Sequence, residues 1–154
     1  MMSVGAQSHI LKVSDALKAC LAEVGKKEHF SAASILFREE GDNAGVFLVL
    51  KGKVCMSVKN LPSLDRLFGS ASLLGLPSTF TGHPYSLTAI TVTEVDVLHV
   101  TQDNFVSLMR ERPELCRQAT EMLGREVTFI QSALAERRRQ AASAKSLGRE
   151  AVVV

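Results

Sequence analysis

No stretch of this 154-residue chain approaches the roughly 20 consecutive apolar residues that a membrane-spanning helix needs. The first residues, MMSVGAQSHILKV, lack the long apolar segment of a secretory signal. Cysteine is scarce: Cys20, Cys55 and Cys116 are scattered, odd in number and contain no CxxC pair. That pattern argues against a disulfide frame or a zinc knuckle and favours reduced thiols in a cytoplasm. Charge of one sign is also missing, since a net +2 is too small to argue for nucleic acid by itself. No internal repeat or low-complexity segment occurs. His9, His29, His83 and His99 show no metal-ligand pairing with a carboxylate, and no Ser-His-Asp or Cys-His motif stands in local context. These absences speak against a metalloenzyme on a cupin-like barrel and against a hydrolase. What is present is apolar: 46% of the residues are hydrophobic, enough for one domain with a real core.

The most informative stretch is EGDNAGVFLVLKGKV, Glu40 to Val54. A polar turn from Gly41 to Gly45 feeds an apolar run, Val46 to Leu50. Lys51-Gly52-Lys53 then turns the chain into a second run, Val54 to Val58. Short apolar runs bounded by glycine read as strands, here a hairpin, and glycine at both turns supplies positive φ without a Cβ clash. This wording resembles the glycine turn, strand, Lys-Gly turn and next strand of the cyclic-nucleotide-binding β-roll in Crp/Fnr regulators and related kinase and channel domains. The resemblance implies a mostly β fold with flanking helices, a cupin-like β-roll or double-stranded β-helix with a short N-terminal helix and a long C-terminal dimerisation helix.

The rest of the chain follows that order. Leu11, Leu17, Leu21 and Val24 recur at helical spacing and Gly25 supplies a stop, so residues 1–27 are expected to be an N-terminal helical segment. Residues 28–112 are expected to hold the β-roll. One or two short strands are expected in Phe30 to Phe37, a loop at Leu61-Pro62-Ser63, and another strand and turn in Asp65 to Leu74. SLTAITVTEVDVLHV alternates with period two around a turn near Thr93-Glu94. Thr101 reads as a helix N-cap, and Pro113 breaks that helix or restarts it. A single long helix is expected over residues 113–145 and a disordered tail over 146–154.

In the family, the ligand lies against a short loop-helix between two strands, the phosphate-binding cassette. Its backbone N–H groups face the cyclic phosphate, an arginine next to a small residue supplies charge, and a glutamate accepts from the ribose. The matching stretch here is residues 73–89, LLGLPSTFTGHPYSLTA. Gly75 stands at the glycine, Leu76 at the glutamate, and Tyr85 at the arginine, followed by Ser86 and Leu87. No Arg or Glu occurs anywhere between Phe68 and Ile90. Loss of one charge-assisted hydrogen bond costs roughly 1.5–3 kcal/mol, or about one to two orders of magnitude in affinity. His83 is the single candidate cation in the loop, and a histidine beside proline on a turn is more often solvated. The fold resemblance therefore implies a cyclic-nucleotide cofactor, while the cassette side chains argue against one.

Two apolar stripes run along the C-terminal helix. Leu115, Ala119, Met122, Glu126, Phe129 and Ala133 form one; Cys116, Thr120, Leu123, Val127, Ile130 and Leu134 form the other. A helix packed only on its own domain needs one stripe about 100° wide. Two stripes suit both the β-roll and a partner helix, and the resemblance implies a homodimer through Leu115, Met122, Leu123, Phe129, Ile130 and Leu134. Glu126 interrupts the first stripe. Arg137, Arg138 and Arg139 read as a solvated helix face. The helix-turn-helix that follows this helix in full Crp/Fnr regulators has no counterpart here, so no specific DNA binding is expected of this chain.

The sequence thus reads as a non-enzymatic, cytoplasmic sensor module with a degenerate or repurposed pocket for a small-molecule effector and no membrane partner. Two alternatives stay open: a cyclic AMP or cyclic GMP receptor that uses Tyr85, Ser86 and backbone groups, and a subunit that pairs with a full-length regulator through the long helix.

Overall fold

Ser14 starts the first helix, α1 (Asp15–Val24), by accepting a hydrogen bond from the Leu17 N–H at 3.2 Å. Its apolar face buries Leu17 and Leu21 completely, each worth roughly 1.5–3 kcal/mol relative to exposure. The computed structural model describes residues 12–59 and 65–153; the loop expected at Leu61-Pro62-Ser63 lies outside the described residues. Eight strands follow among the described residues: β1 (Lys26–Phe30), β2 (Ile35–Phe37), β3 (Val46–Lys51), β4 (Val54–Ser57), β5 (Arg66–Phe68), β6 (Leu73–Leu74), β7 (Thr88–Thr91) and β8 (Val95–Val100). Between β6 and β7 sits the short helix α2 (Leu76–Thr81), and after β8 come α3 (Gln102–Glu111) and the long α4 (Pro113–Val153).

The strands form two antiparallel four-stranded sheets, ordered β1-β8-β3-β6 and β2-β7-β4-β5. One expectation needs correction here. Val46–Lys51 and Val54–Ser57 are strands, but they are not a hairpin. β3 pairs with β8 and β6, whereas β4 pairs with β7 and β5. The Lys51-Gly52-Lys53 corner carries the chain from one sheet to the other. Gly52 holds φ at +99°, and a Cβ there would lie 2.3 Å from the Glu94 carbonyl oxygen. A second strand was missed in part: KKEHF is half-exposed and polar, yet Lys26 to Phe30 pairs along its whole length with β8. An edge position explains why its sequence shows little apolar alternation.

The core divides in two. Phe47, Val49, Val54, Met56, Val95 and Val97 fill the space between the sheets. Val46, Leu48, Leu98 and Val100, on the opposite faces of the same strands, pack beneath α1, α3 and α4 with Leu17, Leu21, Phe105, Leu115 and Ala119. Burial on both faces is why β3 reads as an unbroken apolar run. The Thr101 hydroxyl accepts from the Asn104 N–H at 3.3 Å, and Pro113 opens α4, as the sequence suggests. The backbone of α4 stays helical to Val153, past residue 145 where the fading apolar pattern suggested a tail. No described helix is long and apolar enough to cross a membrane.

Candidate functional site

β6 delivers the chain to Gly75, which caps α2 in the left-handed conformation at φ +90°. A Cβ at that position would come within 3.1 Å of both the Gly45 carbonyl oxygen and the Tyr85 ring. α2 closes one turn later at Gly82, and the Ser78 hydroxyl donates to the Pro84 carbonyl at 3.0 Å to fold the loop back. Gln102 of α3 donates to the Thr79 carbonyl at 3.0 Å, fixing the far end of α2. Residues 75–86 are therefore a loop-helix between two strands, in the place the sequence resemblance assigns to the cassette.

Tyr85 turns inward. Its ring stacks on Phe37 with centroids 4.0 Å apart, and only 3% of the residue is exposed. Its hydroxyl donates to the Gly45 carbonyl at 2.7 Å and accepts from the Ala44 N–H at 2.9 Å. Burial pushes this phenol above its ordinary pKa, opposed by the two backbone hydrogen bonds. Tyr85 thus clamps the glycine turn from within the β-roll. Leu76, expected at the glutamate position, is fully buried in the helix-side core.

The long helix brings a residue to this place that sequence reading had noted only as an interruption. Glu126 projects from α4 into a small cavity walled by Met56, Phe68, Leu73, Leu74, Met122 and Phe129. The residue is half-buried there. The apolar surroundings raise the Glu126 pKa to about 8, and the nearby Gly75 and Leu76 N–H groups pull it only part of the way back.

A larger cavity of about 260 Å³ opens lower down between the β-roll and α4. Tyr85, Ser86 and Leu87 line it from the cassette, Val58 from the end of β4, Ile130 and Leu134 from α4. Glu39, Glu40 and Arg137 supply its charges, two carboxylates against one guanidinium. Arg137 reaches Glu39 at 3.3 Å and the Lys59 carbonyl at 3.1 Å, while its Nε is buried with no partner among the described residues.

The structure accordingly splits the expected site residues. Tyr85, Ser86 and Leu87 share the larger cavity; Gly75 and Leu76 lie higher up, near Glu126; His83 is exposed on the turn and lines neither cavity. Sequence reading missed Glu39, Glu40, Glu126 and Arg137 as site residues. Glu126 left a trace, as the one acid in an apolar stripe. Arg137 left none, because a run of three arginines usually faces water; Arg138 does, and Arg139 pairs with Glu136 on the helix surface.

Along α4, Leu115, Ala119 and Met122 are buried against the domain. Cys116, Leu123, Val127 and Ile130 of the second stripe are half-exposed, and Leu134 is 42% exposed.

A family model for the cyclic nucleotide-binding domain matches residues 27–112, more than half of the chain. The chain belongs to the cyclic nucleotide-binding domain family. Solved structures share the fold. One, from work on a cyclic-GMP-dependent signalling pathway that regulates bacterial phytopathogenesis, is 18% identical with a TM-score of 0.65, over 76% of this chain and 93% of that one. The catabolite activator protein of Thermus thermophilus is 19% identical with a TM-score of 0.58, over 88% of this chain. This chain covers 60% of that activator's length. The N-terminal domain of a transcriptional regulator from Streptomyces coelicolor A3(2) is 21% identical with a TM-score of 0.56, over 79% of this chain and 86% of that one. No curated protein sequence matches the chain. At these identities the likeness concerns the Crp/Fnr-type β-roll fold and not the ligand.

Proposed function

We propose that this cyclic nucleotide-binding domain is a non-enzymatic regulatory sensor of the cytoplasm whose pocket has been turned away from cyclic nucleotides. The observation that carries this reading is Tyr85, which turns into the β-roll and stacks on Phe37 with only 3% of the residue exposed. The chain's own acid, Glu126, also lies near the Gly75 and Leu76 N–H groups that the family offers to its ligand. Two further features agree. Tyr85 holds the arginine position with its hydroxyl committed to Ala44 and Gly45. The larger cavity carries two carboxylates to one guanidinium, an unfavourable lining for a phosphate monoanion.

The cavity of about 260 Å³, apolar on one side and polar at its mouth, suits a small effector. The half-exposed stripe of α4 suits a second copy of the chain, giving a homodimer in which the effector cavity adjoins the dimer helix. A thermal-shift screen of uncharged and anionic small molecules tests the sensor reading, because a ligand at about 100 times its dissociation constant stabilises by roughly 2.7 kcal/mol. A shift confined to cyclic AMP or cyclic GMP would contradict it. That outcome would instead favour an atypical receptor, in which Arg137 leaves Glu39 to meet the cyclic phosphate beside Ser86, both residues lining the same cavity.

A further inference from the structure

Among the described residues, one buried side-chain nitrogen or oxygen has no hydrogen-bond partner: the Nε of Arg137, a residue on the wall of the cavity of about 260 Å³. Buried donors are almost always partnered, so an orphan on a cavity wall marks a place that something else fills. The Nη2 of the same guanidinium is already engaged by Glu39 and by the Lys59 carbonyl, which hold it in place. Glu39 is engaged as well, with one carboxylate oxygen on Arg137 and the other on the Lys59 N–H. Glu40 is different. Its side chain lines the same cavity, is exposed, and makes no ion pair or hydrogen bond among the described residues. Glu40 also sits at φ +67°, a left-handed conformation that strains a residue with a Cβ. Two backbone bonds hold it there: the Glu40 N–H donates to the Tyr85 carbonyl at 2.7 Å, and the Tyr85 N–H to the Gly41 carbonyl at 3.1 Å.

We propose that this cavity binds a small amine with an apolar body and a neutral carbonyl. Glu40 pairs with the ammonium group, the Arg137 Nε–H donates to the carbonyl, and Val58, Leu87, Ile130 and Leu134 enclose the body. That ligand class rests on the reading of this cavity as an effector site. Charge selects it. Glu39 and Arg137 cancel, so the lining keeps the one negative charge of Glu40, which attracts a cation and repels an anion. A carboxylate or phosphate on the Arg137 Nε would also approach Glu39, which lies 3.3 Å from the same guanidinium. A carbonyl satisfies the donor without that repulsion. The walls supply the apolar contact. Val58 and Leu87 are buried, Ile130 is half-exposed and Leu134 is 42% exposed, so a ligand body covers apolar surface that α4 otherwise shows to water. Glu40 and Leu87 belong to the β-roll, whereas Ile130, Leu134 and Arg137 belong to α4. A ligand held this way bridges the two parts of the molecule that a sensor must couple.

Four related probes test each feature. Leucinamide carries the amine, the carbonyl and an apolar body; isoamylamine lacks the carbonyl, isocaproamide lacks the amine, and leucine has a carboxylate in place of the amide. Each is titrated into the whole, ¹⁵N-labelled chain while the amide resonances of Leu87, Ile130 and Leu134 are followed. Leucinamide is expected to shift all three saturably, and the other probes to bind about fivefold to tenfold more weakly. Glu40→Gln should weaken leucinamide about fivefold and leave isocaproamide unchanged. Arg137→Lys keeps a cation beside Glu39 but has no Nε–H; it should weaken leucinamide about tenfold and leave isoamylamine unchanged. Leucinamide that shifts none of these resonances overturns the ligand class. Leucine that binds as tightly as leucinamide overturns the neutral acceptor, and equal losses for both probes in either variant overturn the assigned contacts. Cyclic AMP in the same assay separates the two levels of the claim: saturable shifts of these resonances by the nucleotide overturn the sensor reading itself.

Discussion

Arg137 and Glu39 meet at 3.3 Å although 98 positions separate them in the chain. Glu39 is held from the other side by the Lys59 N–H at 2.9 Å, and the same arginine nitrogen donates to the Lys59 carbonyl. The long helix is thus pinned to the β-roll at the mouth of the larger cavity. Glu39 is 14% exposed and Arg137 39% exposed on their side chains, which places the pair between a surface bridge and a buried one.

Arg137→Ala is expected to lower stability by about 1 kcal/mol, most of it from leaving Glu39 with one partner in place of two. Salt should weaken the unmodified protein more than the variant. Thermal melts of both at low and high ionic strength measure this, and identical melting temperatures throughout would show that the pair contributes nothing.

The half-buried Glu126 gives a second prediction, with a definite sign. The folded Glu126 holds its proton up to about 8, whereas the unfolded chain releases it near 4.5. Between those values the folded state binds one proton more, so stability falls as pH rises through that window and levels off above it. His29, whose ring nitrogens meet Asp96 at 2.7 Å and Glu94 at 3.0 Å, has a raised pKa as well. Its stabilisation is also lost as pH rises through the folded value. The difference between the unmodified protein and Glu126→Gln cancels the histidine. That difference should grow in favour of the variant from mildly acid to alkaline pH, and a difference independent of pH would contradict the raised pKa of Glu126.

Much of this architecture could be read from the chain alone, because strand alternation, glycine turns and helix caps are local signals. Val54, Met56 and Val58 alternate with half-exposed neighbours, and Thr101 and Pro113 bound α3 as their chemistry dictates. Sheet membership was not legible. Val46–Lys51 and Val54–Ser57 look like a hairpin at short range, and only pairing with strands some 40 positions later separates them. The site was legible where it depends on what the cassette lacks and obscure where residues arrive from elsewhere. Glu126 and Arg137 act through contacts that no local window contains. The burial of Leu76 and Tyr85 also changes the sense of an obvious repair. Leu76→Glu with Tyr85→Arg would restore the family's charges by name but place both in a packed core.

Tyr85→Phe isolates the clamp on the glycine turn. Removing the hydroxyl leaves the Gly45 carbonyl and the Ala44 N–H without their partner, at a cost of roughly 1–3 kcal/mol. The ring and its stacking on Phe37 remain. Chemical denaturation should show a lower midpoint with an unchanged slope, and a midpoint equal to that of the unmodified protein would assign the hydroxyl no structural role.

Val127→Asp probes the outer stripe of α4. Val127 is half-exposed and belongs to neither core cluster, so the change should spare the monomer while placing a charge in a dimer seam. Light scattering at tens of micromolar is expected to give a dimer for the unmodified chain and a monomer for the variant. A monomer in both would end the homodimer reading.

The central claim is that the cassette no longer serves a cyclic phosphate. Isothermal titration of the unmodified protein with cyclic AMP and cyclic GMP tests it most directly. Two absent charge-assisted contacts at roughly 1.5–3 kcal/mol each weaken binding by about two to four decades, so dissociation constants of about 100 μM or weaker are expected for both nucleotides. A submicromolar dissociation constant for either would contradict the account and make this chain a cyclic-nucleotide receptor.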